Sequence, residues 1–110
     1  MYFPTDLLTS DVAVIRGTGR LNMLTASRLD RTVRSVLRQG RSKIVLDLSA
    51  VEFLDSTGLG AMIAGLKAAR AQGGDLRLVG PGPQPSMVLT MSHLDRILTP
   101  RRDVHTAYAD

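Results

Sequence analysis

The stretch from Lys43 to Val79 constrains the fold more than any other part of the chain. It opens with a short apolar run, Ile44, Val45, Leu46 and Leu48, and it closes where Asp75 to Val79 starts the next strand. Between them, over roughly Thr57 to Gln72, the residues Leu59, Met62, Ile63, Leu66 and Ala69 recur at helical spacing, and Gly73 and Gly74 supply the stop. Two buried strands joined by one amphipathic helix pair in parallel through a right-handed crossover. The chain is therefore expected to be α/β.

The rest of the sequence adds elements to this unit. Asp11 to Arg16 reads as a buried strand that stops at Gly17 and Gly19, a pair taken as a turn. Tyr2 to Leu8, with Pro4, suits an edge strand paired antiparallel to it through a turn near Ser10. From Thr25 to Gln39, Ala26, Leu29, Val33, Val36 and Leu37 mark a helix, with Thr25 as N-cap and Gly40 as stop. Val51 to Leu54 form a short hydrophobic approach to Asp55. Gly80 to Pro85 reads as a loop, Ser86 to Met91 as a third helix, Ile97 and Leu98 as a last edge strand, and Asp103 as the cap of a final helical turn through Ala107. Met62, Met87 and Met91 are taken as core-filling side chains. The expected architecture is one domain over 1–110, with a central mixed sheet of four to five strands and helices packed mainly on one face.

Composition narrows the function classes. At 110 residues and 44% apolar content there is room for one modest core. Without cysteine there is neither a disulfide nor a thiolate metal site, and the fold must stand on packing. Met1 to Asp6 lacks a basic segment followed by an apolar one, and no run of apolar residues is long enough to span a bilayer, so a cytoplasmic protein without a membrane partner is expected. The net charge of +4 favours acidic partners in general. Arg28, Arg31, Arg34 and Arg38 share the polar face of the first helix, but with two Tyr, two Phe and no recognition motif no direct nucleic-acid partner is expected. Neither His93 nor His105 is read as a metal ligand, and no cofactor is implied.

Chemistry concentrates at Asp55-Ser56-Thr57-Gly58-Leu59-Gly60, where a buried strand hands over to a helix. Unpaired backbone N–H groups at a helix start favour an anion, and Asp55 or Ser56 can serve as the cap. Asp47 and Asp55 are read as carboxylates that brace the loop. The outer face of this helix is made of small residues, Gly60, Ala61, Ala64, Ala68 and Ala71, which would let another backbone come close beside Ser56. A serine nucleophile is not indicated, because the Gly-x-Ser-x-Gly elbow is missing and neither histidine is tied to the site by pattern. No catalytic residue is assigned.

The segment Ile44 to Gly60, with Val45-Leu46-Asp47-Leu48-Ser49, then Val51, Phe53 and Leu54, then Asp55 to Gly60, closely resembles the STAS domain of bacterial anti-sigma factor antagonists. The resemblance extends from Val12 through Gly19-Arg20-Leu21 and the helix at Thr25 to Met91-Ser92-His93-Leu94. It implies the STAS fold and a partner switch. The unmodified antagonist captures an anti-sigma factor with serine-kinase activity and frees the sigma factor; phosphorylation breaks the complex, and a serine phosphatase resets it. The acceptor in the family follows the motif aspartate and falls on Ser56, with Thr57 as the secondary hydroxyl. The implied switch loop and partner surface comprise Asn22, Asp55, Ser56, Thr57, Gly58, Gly60, Ala61 and Ala64.

Two positions depart from the family pattern. Asn22 stands where many relatives carry an acid, and His93 where glycine is common, a place where histidine tolerates positive φ. The competing reading is a STAS subunit of a transporter complex or signalling assembly that acts as a non-phosphorylated interaction module. The length of the chain and its Ser56-Thr57 pair favour the antagonist.

Overall fold

A computed structural model describes residues 3–9 and 11–109. In chain order these form β1 (Thr5–Leu7), β2 (Val12–Leu21), α1 (Ala26–Arg38), β3 (Lys43–Leu54), α2 (Ser56–Ala71), β4 (Asp75–Val79), α3 (Pro83–Met91), a 3-10 turn (Leu94–Arg96) and β5 (Pro100–Arg101). The strands make one mixed sheet in the order β1-β2-β3-β4-β5. β1 runs antiparallel to β2, and every other neighbouring pair is parallel. The α/β architecture expected from the Lys43–Val79 pattern is thus met, as is the antiparallel first pair. The suggested turn at Ser10 and the start of the first strand at Tyr2 lie outside the described residues.

Alternation along the strands divides the core. Ala13, Ile15, Ile44, Leu46, Leu48, Leu76 and Leu78 point to the side covered by the helices, where they meet Leu29, Val33, Leu59, Met62, Leu66 and Leu89. Val12, Val14, Val45 and Val79 point the other way and are covered by Val104, Ala107 and Tyr108. Helices therefore occupy one face, and a short irregular segment near the C-terminus seals the other. Tyr108 fixes that seal. Its hydroxyl accepts from Ile44 N at 3.0 Å and donates toward the Ile44 and Asp75 carbonyls at 2.8 Å, while the Arg77 guanidinium lies 4.4 Å from its ring centre.

Both long helices end as expected from their glycines. Gly40 at φ +83° and Gly73 at φ +80° take the left-handed conformation, with paired returns such as Gly40 N to Leu37 O and Arg41 N to Val36 O. Thr25 occupies the N-cap position of α1 without capping it. Its hydroxyl instead accepts from Asn22 N at 3.0 Å and donates to Arg20 O at 2.8 Å, bracing the loop ahead of the helix.

Several boundaries differ from the sequence reading, each for a local reason. β2 does not stop at its glycines but runs through them to Leu21. The register against β3 slips between Arg16 and Thr18 and again between Gly19 and Arg20, and Gly19 at φ +90° absorbs the second irregularity. β3 likewise continues unbroken to Leu54. α3 starts at Pro83 rather than Ser86, because a proline in the first turn lacks only an N–H that has no helical acceptor. Ile97 and Leu98 are not a strand: Leu98 N still bonds Leu94 O at 2.7 Å, so the chain is turning there, and the edge strand forms later at Pro100–Arg101. Asp103 accepts from Thr106 N and Oγ1 at 2.9 and 3.0 Å, which closes a turn and not a helix. Of the three methionines taken as core-filling, Met62 is buried, whereas Met87 and Met91 are 53% and 73% exposed.

Candidate functional site

β2 and β3 outrun β4, whose pairing with β3 ends at Asp47 with Val79, and they finish together at Leu21 and Leu54. The site is built on that shared end. Asp55 N donates to Leu21 O at 3.2 Å, and Asp55 is extended at φ −111° and ψ −176°. Its Oδ1 accepts from Gly58 N at 2.8 Å and its carbonyl from Leu59 N at 2.9 Å, so Asp55 is the N-cap of α2.

Ser56 and Thr57 then occupy the first two helical positions. Their backbone N–H groups precede any intrahelical acceptor, and Asp55 has already taken the N–H of Gly58. Both residues are exposed, and among the described residues neither hydroxyl makes a hydrogen bond. Gly58 is buried: a Cβ there would press into the Leu21 carbonyl and lie 2.8 Å from Leu21 Cγ. The glycine is what lets the helix start close against β2.

The remaining site candidates divide by position. Asn22 follows Leu21 directly, and its Oδ1 accepts from Leu24 N at 3.0 Å, so the β2–α1 loop is held beside the start of α2. Gly60 and Ala64 face solvent along α2, and Ala61 is partly buried against the core. A Cβ at Gly60 would meet nothing within 4 Å. Asp47 lies apart from the loop; it accepts from Arg16 at 2.9 Å and from Ser49 N at 2.9 Å, a bracing role within the sheet.

One contributor escaped the sequence reading. Gln84, in the first turn of α3, receives Leu54 N on its Oε1 at 2.8 Å and gives its Nε2 to Leu54 O at 2.9 Å. Its amide takes the place of a peptide from the neighbouring strand at a level β4 does not reach. A polar residue between two prolines carried no periodic signal that could have revealed this. Nearby, the Arg20 guanidinium lies 4.3 Å from the Phe53 ring centre on the paired strand ends.

Chemically, the arrangement offers an accessible hydroxyl beside open backbone donors. Asp55 Oδ1 is committed to Gly58 N; His93 sits beyond α3 at φ 61°, the positive value its glycine-like position suggested, and His105 lies in the C-terminal turn. Among the described residues no group of three or more His, Asp or Glu could hold a metal ion, and no helix is long and apolar enough to cross a membrane.

The sequence signature of the STAS domain matches residues 6–107. The chain belongs to the STAS domain family. A Thermotoga maritima protein provisionally named an anti-sigma factor antagonist is 35% identical over 97 residues, covering 87% of this chain and 85% of that one. The anti-sigma F factor antagonist of Lysinibacillus sphaericus is 26% identical over 95 residues, covering 86% and 81%. Among solved structures, the anti-sigma factor antagonist SpoIIAA in its unphosphorylated form superposes with a TM-score of 0.80 at 20% identity, over 94% of this chain and 89% of that one. Its phosphorylated form, from Bacillus, gives 0.73 at 22% identity over 94% and 92%. At those identities SpoIIAA attests the fold; the sequence relatives place this STAS protein among the anti-sigma factor antagonists.

Proposed function

We propose that this STAS protein is a single-domain cytoplasmic partner switch. Unmodified, it binds an anti-sigma factor that has serine-kinase activity and so releases a sigma factor. Phosphorylation of Ser56 ends the complex, and a serine phosphatase restores it. The chain itself catalyses nothing; the kinase brings the transfer machinery.

The observation that carries this reading is the state of the Ser56 side chain, an exposed hydroxyl at the first position of α2 without a partner among the described residues. A phosphate adds a charge of about −1.5 to −2 and three strong acceptors. Here it would meet the open N–H groups of Ser56 and Thr57 and the positive end of a helix dipole, so the modified protein stays folded. The penalty must then fall on the complex, through desolvation and repulsion at the partner's surface. Thr57 offers a second exposed hydroxyl one residue along. Gly60 lends support to the docking role of α2, since glycine inside a helix costs up to about 1 kcal/mol relative to alanine and no neighbour here requires it.

The test combines purified protein with candidate anti-sigma kinases and ATP, followed by site mapping by mass spectrometry and complex formation by calorimetry. Modification at Ser56 is expected, with Ser56→Ala binding constitutively and Ser56→Asp at least about tenfold more weakly, some 1.4 kcal/mol. Equal binding by the two variants would sink the proposal.

A further inference from the structure

The charge of the molecule is unevenly laid out. α1 and α2 carry Arg28, Arg31, Arg34, Arg38, Lys67 and Arg70, all exposed, against the single acid Asp30. The two helices thus hold an excess of five positive charges, more than the whole net charge of +4, and the remainder of the chain is slightly acidic. Arg34 has a partner in Asp30 at 2.9 Å, and Arg70 in Asp75 at 3.2 Å. Between the helices runs a groove of about 190 Å³ lined by Arg34, Leu37, Arg38, Ala68 and Gln72. Its lining joins the apolar Leu37 and Ala68 to two guanidinium groups and one amide. That combination fits a side chain with a methylene stem and a carboxylate tip.

Resting on the partner-switch reading above, we propose that this groove is a second anchor for the same anti-sigma factor and receives an acidic segment of it, with a glutamate or aspartate side chain between Arg34 and Arg38. Ala68 lies twelve residues along α2 from Ser56, about 18 Å at 1.5 Å per residue. A standard interface, about 800 Å² per partner, spans that distance. The Debye length at physiological salt, about 8 Å, does not. Two consequences follow from this spacing. The groove steers association and adds affinity in both modification states, and the phosphate on Ser56 acts locally, without altering the groove's hold.

The experiment measures association and dissociation rates for the anti-sigma factor kinase that binds the Ser56→Ala protein. The groove variants Arg34→Gln/Arg38→Gln and Arg34→Glu/Arg38→Glu are placed in that background and in Ser56→Asp, with Arg34→Lys/Arg38→Lys as the charge-retaining control. All replaced side chains are exposed, and circular dichroism and Tm check that the variants fold. The neutral pair is expected to slow association about tenfold at low salt and the reversed pair more, with the difference shrinking below about twofold at high salt and the lysine pair close to the parent. The factor by which Ser56→Asp speeds dissociation should be the same in every groove background, as expected of distant sites. Association of the neutral and reversed pairs within about twofold of the parent at low salt would overturn the groove while leaving the switch intact. Failure of the Ser56→Ala protein to bind any anti-sigma kinase would overturn both. Salt-sensitive binding of a short DNA duplex that the groove variants lose, with anti-sigma association unchanged, would reassign the face to nucleic acid.

Discussion

Two glycines two residues apart in α2 make opposite demands. Gly58 is wedged against Leu21, where a methyl group would overlap the Leu21 carbonyl; Gly60 faces open space. Gly58→Ala is therefore expected to lower stability by about 2 kcal/mol, through overpacking where β2 meets the start of α2. Gly60→Ala should raise it by about 0.5–1 kcal/mol by removing backbone freedom from the unfolded chain. Urea unfolding of the two variants reads both signs, and a stable Gly58→Ala protein would remove Leu21 from the account of how the helix start is fixed. The sequence shows both glycines and hides the difference, because Leu21 is distant along the chain and reaches Gly58 only through pairing of strand ends. Ser56 and Asp55 were legible for the contrary reason: a cap and its first helical residues interact within four positions.

At the level of elements, apolar periodicity located β2, β3, β4, α1 and α2, since those stretches bury one face against the rest and the pattern must be written locally. What it misplaced were ends. Gly17 and Gly19 looked like punctuation but serve a long strand that bends, and Pro83 and Pro85 looked like breakers but sit in the one helical turn that tolerates them. Gln84 ties these errors together, because the early start of α3 is what brings its amide to Leu54. Gln84→Leu leaves the Leu54 N–H and carbonyl partly buried without partners, an expected loss of about 2 kcal/mol. Amide hydrogen exchange should show the Leu54 proton far less protected in that variant while the middle of β3 keeps its protection. Unchanged exchange at Leu54 would mean that the clamp does not hold the end of the strand.

For the molecule as a whole, the second sheet face depends on Tyr108. Burial, with the Asp75 carboxylate nearby, pushes its phenol well above the ordinary value near 10. A raised value means that the folded state keeps the proton after the unfolded chain has begun to lose it. The stabilisation is fully present below about pH 10 and drains away as pH climbs beyond that, through the folded value. Tyr108→Phe should lower stability at neutral pH by about 1 kcal/mol through the lost hydrogen bonds to Ile44 and Asp75 and should flatten the alkaline decline. Thermal unfolding across pH 8 to about 11 compares the two slopes, and parallel curves would rule out this phenol as the source. Nothing in the apolar pattern announced that tyrosine, whose partners lie on strands far back in the chain.

The sheet's outermost strands are three and two residues long, and the second begins at Pro100. A stray extended segment, whether from another molecule or a half-made chain, finds almost no rungs on which to latch. Where β1 and β4 cover them, the apolar stretches of β2 and β3 are closed to such pairing. Such short rims give two copies of the chain little by which their sheets could join there.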